Sequence, residues 1–299
     1  MTVAMDTTAI DSAVAEKLER LLASLSGMGR VMVAYSGGVD STFLAAAAYR
    51  ALGERALAVT AVSPSYPEGE LEKARGFADL IGIRMETIST TEMDNPEYVQ
   101  NNTDRCFHCK TALADGMEAL LERSKDAFDV LVYGAVTDDV GDYRPGMSAA
   151  RERGIQSPLI DAGMCKDDVR AVSRAWGLPT WNQPASACLS SRIPYGTQVT
   201  EEALRMVDRS ETFLKELGFR QVRVRHHESV ARVEVAPEEM HRFFEEGRNE
   251  AIVSRLKEIG YRYVTLDLQG YRSGSLNEGM ALLSIGGGDG NGSDAGGNA

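Results

Sequence analysis

The chain has 299 residues, of which 43% are hydrophobic and 25% charged, a balance that is ordinary for a globular protein. It carries 32 Lys and Arg against 44 Asp and Glu, a formal net charge of −12. Non-specific affinity for nucleic acid comes from clustered Lys and Arg, so this balance argues against a nucleic-acid partner. The length suits one large domain and one smaller domain.

The first residues, MTVAMDTTAIDSA, show neither the basic nor the apolar segment of an export signal. No apolar run approaches the ~18 residues that a membrane-spanning helix needs. We therefore expect a cytoplasmic protein with no membrane partner, in a compartment that keeps thiols reduced. The four cysteines, Cys106, Cys109, Cys165 and Cys188, are then candidate metal ligands or reactive thiols before they are candidate disulfides.

Short apolar runs alternate with helical periodicities along the first part of the chain, after an initial amphipathic helix. The predicted strands are Val31–Tyr35, Ala56–Val62, Arg84–Ile88 and Asp129–Tyr133, and one of the helices between them covers about Lys110–Glu122. Buried strands separated by helices are typical of a parallel sheet that is covered on both faces. We predict a doubly wound α/β domain over residues 1–196.

The order of the elements changes in the last third of the chain. After a helix, the pattern predicts strands at Gln221–Arg225 and Val230–Val235, a helix that runs to about Glu258, and a strand over Tyr261–Leu268. This order predicts a smaller α+β domain with an antiparallel sheet over residues 197–284, for substrate binding or oligomerisation. The Gly-rich tail, residues 285–299, lacks the apolar surface needed to order itself, and we expect it to be disordered.

The segment SGGVDS, residues 36–41, lies between the first predicted strand and a helix start, where backbone N–H groups and the helix dipole favour an anion. Gly37 and Gly38 remove the Cβ atoms that would keep the backbone away from phosphate oxygens. Ser36 and Ser41 supply hydroxyl donors. Asp40 is a candidate for ordering the loop or a Mg²⁺ ion.

The Lys of a Walker A loop is absent from this segment, so the pattern predicts an ATP-binding loop of another kind. A Gly-Gly turn with a Ser cap is the alternative interpretation. The full SGGVDS string between a strand and a helix is far more specific than such a turn.

Two further segments are expected at the same edge of the sheet. Thr60 lies near the end of the second predicted strand, and Gly134 follows the fourth. Ligands of open α/β sheets bind outside the carboxyl ends of the strands, so both residues are predicted to contact ATP. Asp138 and Asp139 follow on the same loop, where they are either oxygen ligands of Mg²⁺ or an acidic turn.

The spacing of the cysteines leaves several chemistries open. Cys106 and Cys109 form a CxxC, which fits half a zinc site, a redox pair or a chance match. Together with Cys188 they could hold an iron–sulfur cluster, leaving one iron without a protein ligand. Such open coordination suits chemistry better than electron transfer. Cys165 precedes a predicted helix and is either a helix-end residue or a fourth ligand.

Four segments together closely resemble the LarE family of ATP-dependent sulfur transferases, which help to build the nickel-pincer nucleotide cofactor of lactate racemase. They are SGGVDS, GDYRPG at residues 141–146, SPLIDAG at residues 157–163 and ACLSSRIPYG at residues 187–196. SGGVDS alone marks the wider PP-loop ATP pyrophosphatase group, whereas ACLSSRIPYG is much more selective. With the matching order of elements, the resemblance extends to the Gly-rich tail.

The resemblance implies an enzyme that adenylates a carboxylate of a pyridinium dicarboxylate mononucleotide, releases pyrophosphate and installs sulfur as a thiocarboxylate. Some members have only the cysteine that matches Cys188 and sacrifice its sulfur. Others resemble this chain in adding a CxxC, as at Cys106 and Cys109, and a [4Fe-4S] cluster with sulfide on its open iron is attributed to them. The implied cofactors are ATP, Mg²⁺ and [4Fe-4S], with a sulfide source as partner and a homo-oligomer as the expected assembly. One departure is the stretch after Gly134, where an Asn is frequent in the family.

The phosphate of such a substrate needs a cationic partner. Arg223 and Arg225 lie two residues apart in a predicted strand, so both side chains project from one face. Paired guanidinium groups suit phosphate or carboxylate recognition; the alternative is an exposed strand face balanced by nearby Glu. Arg192, four residues after Cys188, is a similar candidate.

Three other functions fit parts of the pattern. A cluster-dependent tRNA thiolase also joins a PP-loop to three cysteines, but the acidic balance counts against it. A non-catalytic ATP sensor would not need the cysteines, and an electron-transfer protein leaves SGGVDS unexplained. Pyrophosphate release separates the enzymes from the last two, and RNA binding identifies the thiolase.

Overall fold

The computed structural model describes residues 10–124, 127–140, 153–183 and 187–272. The GDYRPG segment and the Gly-rich tail lie outside these residues. The chain divides into two compact units: the first comprises residues up to 190 and Tyr195–Asp208, and the second comprises Ser191–Pro194 and the residues from Arg209 onward. The domain limits drawn from the sequence stay a prediction. No helix of the described chain combines the length and the apolar character needed to cross a membrane.

The first unit alternates strands and helices. Its strands are β1 (Val31–Ala34), β2 (Ala56–Val62), β3 (Arg84–Ser89) and β4 (Val130–Tyr133); its helices are α1 (Ser12–Gly27), α2 (Val39–Leu52), α3 (Glu68–Ile81), α4 (Pro96–Val99), α5 (Arg105–Arg123), α6 (Pro158–Asp161) and α7 (Lys166–Ala175). The strands pair in parallel in the order β3-β2-β1-β4, which confirms the predicted α/β fold. The chain moves outward from β1 to β3 and then returns to β4 on the other side of β1. The strand order therefore reverses between β1 and β4, and the carboxyl ends of these two strands form a switch point of the kind at which ligands bind.

The central strand β1 is buried on both faces, as expected for a parallel sheet covered by helices, whereas the edge strand β3 is largely exposed. Because side chains alternate along a strand, Val31 and Val33 of β1 join the larger core, which also contains Phe43 of α2. Met32 joins the second core on the opposite face, together with Met117 of α5. The sheet is therefore a rigid base for the loops that leave its carboxyl edge.

Helix α5 begins at Arg105, whereas the sequence pattern predicted a start near Lys110. The N–H groups of Phe107 and His108 donate to the carbonyl of Asp104, at 2.8 and 3.4 Å, and so extend the helix toward its amino end. The mixed side chains of this first turn lack the apolar period that marks the rest of the helix, which is why the prediction missed it. As a consequence, the CxxC lies in the first turns of α5.

The second unit contains β5 (Val222–His227), β6 (Val230–Val235), α9 (Arg248–Ile259) and β7 (Tyr263–Leu266), while α8 (Glu201–Glu216) begins in the first unit and ends in the second. Strands β5 and β6 are antiparallel, as predicted, but β6 and β7 are parallel. The prediction of an antiparallel sheet is therefore wrong for β7. The connection from β6 to β7 contains α9, and this helical crossover carries the chain back to the end of the sheet at which β6 began, so that β7 runs parallel to β6.

Asp129, just before β4, is tied to Arg30, just before β1. Its carboxylate accepts hydrogen bonds from the Arg30 Nε and Nη2 atoms, at 3.0 and 2.7 Å, and from the Arg30 backbone N–H at 2.9 Å. The bonds to the guanidinium, and then the bond from the backbone, lower the pKa of Asp129 from 3.8 to about 2. Because the pKa of Asp129 is lower in the folded state, its ion pair with Arg30 stabilises the fold at pH values above the unfolded-state pKa. This contribution to the free energy of unfolding is lost as the pH falls toward 2.

We therefore expect Asp129→Asn to lower the melting temperature at pH 7, with the difference from wild type shrinking as the pH approaches 2. Thermal unfolding across this pH range measures the effect. Asp79→Asn, at an exposed position of α3, is the matched control and should leave the melting temperature unchanged. Equal losses for both variants at pH 7 would contradict the expectation.

Candidate active site

The SGGVDS loop joins the end of β1 to the first turn of α2. The Oγ atoms of Ser36 and Ser41 are 3.0 Å apart. Ser41 Oγ accepts the Ser36 N–H and donates to the Gly38 carbonyl, both at 3.2 Å. Gly38 is the N-cap of α2, and no side chain of the described residues caps this helix end. The loop is therefore closed by its own hydroxyls, while the first N–H groups of α2 are left for an anion.

Two glycines let this loop pack closely. Gly37 has φ of +73°, and a Cβ atom there would lie 2.9 Å from the Cβ of Ala74. A Cβ on Gly134, after β4, would lie 3.0 Å from the Asp40 carbonyl carbon and from the Ser41 nitrogen. Gly134 therefore lies against the backbone of the loop, at the predicted edge of the sheet.

Gly37→Ala should destabilise the protein by about 1–2 kcal/mol, the cost of a left-handed backbone for a residue with a Cβ atom. Urea unfolding measures this change. Gly69→Ala is the control, because Gly69 lies in α3 and a Cβ atom there would meet no neighbour within 4 Å. Alanine favours a helix over glycine, so this control should be neutral or stabilising. A loss of the same size in both variants would contradict the argument.

Thr60, Tyr35 and Tyr66 donate hydrogen bonds that fix the SGGVDS loop and the residue before it. Thr60 is buried and its Oγ1 donates to the Tyr35 carbonyl at 2.7 Å. Tyr35 donates through its hydroxyl to the Ala74 carbonyl at 2.9 Å, and Tyr66 donates to the Ser36 carbonyl at 3.0 Å. The donor of Thr60 is used within the protein, and contact between Thr60 and ATP stays a prediction.

Asp40 is paired with a lysine that the sequence analysis did not select. Lys166, the first residue of α7, forms an ion pair through Nζ with Asp40 Oδ2. Asp40 Oδ1 is buried and has no hydrogen-bond partner within the described chain. The loop therefore receives from α7 the positive charge that a Walker A loop carries in its own sequence. The only sequence signal was a lysine at a predicted helix start.

The two acidic residues after β4 have partners within the protein. Asp138 Oδ2 accepts the Lys166 backbone N–H at 2.8 Å, and Asp139 Oδ2 accepts the Val136 N–H at 3.0 Å. These contacts match the acidic-turn interpretation, and a Mg²⁺ role for either residue stays a prediction.

The three cysteines selected from the sequence all belong to the first unit. Cys106 is exposed, while Cys109 and Cys188 are half-buried. Burial raises the pKa of the Cys109 thiol to about 12; Lys110 opposes this rise, and the charges of Cys188 and Cys106 add to it. In the part of the chain that the structure describes, no three or more His, Cys, Asp or Glu side chains are arranged to hold a metal ion.

Cys165 is the N-cap of α7, in agreement with the helix-end interpretation. Its backbone N–H donates to Asp168 Oδ2 at 2.9 Å, and the same oxygen pairs with Lys17 Nζ at 2.6 Å. Its surroundings therefore differ from those of the other cysteines.

Two of the predicted phosphate-binding arginines of the second unit form ion pairs with buried carboxylates. Arg225 donates through Nε and Nη2 to the two oxygens of Glu234, at 3.0 and 2.9 Å. Arg192 donates in the same way to Glu211, at 2.8 and 3.0 Å. All four side chains are buried, and bidentate geometry of this kind holds a guanidinium firmly.

Arg223 is the most solvent-exposed of the three predicted arginines, since it is half-buried whereas Arg192 and Arg225 are buried. Its guanidinium lies over the ring of Tyr271, 5.3 Å from the centroid, and its Nη1 donates to the Val222 carbonyl at 2.7 Å. Burial, and then the charge of Arg192, lower the pKa of Arg223. Phosphate binding by these three arginines stays a prediction.

Comparison with known proteins places the chain in a family. The model of the NAD synthase family matches residues 12–116, which contain the SGGVDS loop and the CxxC. An uncharacterised protein of Synechocystis is 45% identical over 261 residues, covering 87% of this chain and 97% of the relative. The pyridinium-3,5-bisthiocarboxylic acid mononucleotide synthase of Lactiplantibacillus plantarum is 36% identical over 273 residues, covering 91% of this chain and 97% of that enzyme. With this identity over nearly the whole of both chains, and with the parallel sheet and its loop, the chain belongs to the LarE family of PP-loop enzymes.

Proposed function

We propose that the protein is an ATP-dependent sulfur transferase, which adenylates a carboxylate of pyridinium-3,5-dicarboxylate mononucleotide and converts it to a thiocarboxylate. One observation carries the proposal: a single compact unit holds both the SGGVDS loop, at an uncapped helix start, and the three cysteines selected from the sequence. The name of the Lactiplantibacillus plantarum relative, a bisthiocarboxylic acid mononucleotide synthase, supports the choice of substrate.

The residues of the loop fit ATP and Mg²⁺. The uncapped amino end of α2 suits phosphate oxygens, and the partnerless Oδ1 of Asp40 within the described chain is the kind of oxygen ligand that Mg²⁺ prefers. Bound Mg-ATP supplies the adenylyl group and makes pyrophosphate the leaving group. Lys166, already at the loop, is placed to neutralise the charge that develops on pyrophosphate as it leaves.

Adenylation overcomes the low reactivity of a carboxylate. The carboxylate oxygen attacks the α-phosphorus of ATP, the bond to the β-phosphate oxygen breaks, and pyrophosphate departs. A sulfur anion then attacks the activated acyl carbon, and AMP leaves with the electron pair of the broken carbon–oxygen bond. The nucleophile must be the anion, because sulfur reacts much faster in that form than as a thiol.

Cys106, Cys109 and Cys188 would hold a [4Fe-4S] cluster, which when bound supplies deprotonated sulfide. The donor set fits in kind, because iron–sulfur clusters are held by thiolates, and in number, because three ligands leave one iron open. The high pKa of Cys109 keeps this residue a neutral thiol in the metal-free chain, so cluster assembly must release its proton. The family's homo-oligomers and a cytoplasmic location remain predictions.

The test is anaerobic turnover of the dicarboxylate mononucleotide with Mg-ATP and sulfide, followed by mass spectrometry of product and protein. Thiocarboxylate in excess over enzyme, with Cys188 intact, is the expected result. At most one sulfur per chain, with Cys188 converted to dehydroalanine, would replace the cluster with a sacrificial cysteine. Sulfur transfer to tRNA and none to the mononucleotide would overturn the proposal in favour of a thiolase.

A further inference from the structure

Arg105, the residue before the CxxC, is a buried cation whose partners within the described chain are neutral. Only 3% of its side chain is exposed. Its Nη1 atom donates to Asn101 Oδ1 at 2.6 Å and to the Ser190 carbonyl at 2.8 Å. Its guanidinium lies over the ring of Tyr195, 5.4 Å from the centroid. A guanidinium buried without a carboxylate partner is costly, so a positional role is needed to explain it.

The segment that follows Cys188 is held by three separate parts of the first unit. Besides the bond from Arg105 of α5, the hydroxyl of Tyr98 in α4 lies 2.6 Å from Ser190 Oγ. The Leu189 N–H donates to the Ser65 carbonyl at 2.9 Å. Ser190 and Tyr98 are fully buried, so these bonds are shielded from water. The two residues after Cys188 are thereby fixed in place.

Arg105 and Cys109 lie four residues apart in α5 and therefore share one face of the helix. The bond from Arg105 to Ser190 brings the chain just beyond Cys188 to that face.

We propose that Arg105 is the positioning residue of the three-cysteine site: through the Ser190 carbonyl it holds Cys188 beside Cys109. The inference rests on the proposed role of these cysteines, because a shared ligand or an exchange of sulfur requires that they stay close together. Arginine suits the task better than lysine. Its planar guanidinium reaches Asn101 and Ser190 together and also stacks on Tyr195.

The experiment is cross-linking of the full-length, metal-free, reduced chain with dibromobimane, a short reagent that joins two neighbouring thiols. Mass spectrometry of the peptides then gives the yield of the Cys109–Cys188 link. Arg105→Met should lower this yield at least about tenfold, as expected for the loss of a charge-assisted hydrogen bond. Arg105→Lys should retain part of the yield. Arg205→Met is the control, because Arg205 is 68% exposed in α8, and it should cross-link like wild type.

Two further measurements keep the result interpretable. Circular dichroism and melting temperature show whether Arg105→Met folds; if it does not, Tyr98→Phe removes another bond to Ser190 and should lower the yield by itself. Iron bound per chain after anaerobic reconstitution with Fe²⁺ and sulfide should fall in parallel with the cross-link.

A wild-type yield of the Cys109–Cys188 link in folded Arg105→Met would overturn the inference. So would the lack of this link in the wild-type chain. Neither measurement uses ATP or the mononucleotide. If the cross-link depends on Arg105 while sulfur transfer is not observed, only the proposed function fails.

Discussion

Replacing Lys166 by Met should lower pyrophosphate release at least about 100-fold, the usual loss when one charge that stabilises a transition state is removed. Lys166 brings the positive charge to the SGGVDS loop, where it pairs with Asp40. Without it, the loop loses this ammonium group, and the negative charge on the departing pyrophosphate is less well neutralised. A coupled assay of pyrophosphate release, with the dicarboxylate mononucleotide and Mg-ATP, measures the effect.

The matched control for this variant is Lys73→Met. Lys73 is 53% exposed in α3, and its Nζ pairs with Glu70 at 2.7 Å. Like Lys166 it is a lysine in an ion pair with a carboxylate, but it does not pair with the SGGVDS loop. The control should release pyrophosphate at the wild-type rate. Wild-type release by Lys166→Met would show that the ion pair with Asp40 is structural only.

The second large effect is expected from Cys188→Ser, which should abolish thiocarboxylate formation, while pyrophosphate release continues. A serine hydroxyl is a poor iron ligand and carries no sulfur to donate, so the cluster and the sacrificial mechanism both lose their sulfur source. Mass spectrometry of the product and a pyrophosphate assay on the same sample separate the two steps. Loss of both activities would mean that Cys188 acts in nucleotide binding.

Two other cysteine variants sharpen this result. Cys165→Ser should keep full activity, because Cys165 caps α7 and lies in different surroundings. Cys109→Ser should stop repeated turnover if the three cysteines share a cluster. A sacrificial Cys188 would still deliver one sulfur per chain in that variant.

The fold of the first unit was predictable because β1, β2 and β4 are short, apolar and largely buried, and the helices between the strands have a clear period. The SGGVDS loop was predictable for the same reason, since a loop between a buried strand and a helix has few possible positions. The parallel β7 was missed because the alternation of side chains along a strand does not show its direction.

Partners that are distant in the sequence were beyond prediction. Lys166 pairs with a residue 126 positions away, and nothing near it indicates that partner. The carboxylates that hold Arg192 and Arg225 are Glu211 and Glu234, whose side chains resemble those of any exposed Glu until their burial is known. The start of α5 was missed because its first turn has no apolar period.

The protonated state of Cys109 also affects which cysteine is oxidised first when the protein is handled in air. Oxidants attack thiolates, so a thiol with a pKa of about 12 is almost inert toward them at neutral pH. Cys106, in the same helix turn, is open to solvent. In the metal-free chain, damage during aerobic handling should therefore begin at Cys106 and spare Cys109. A preparation that has lost its activity in this way would still contain an intact ATP loop, and reduction of a sulfenic acid at Cys106 would restore it.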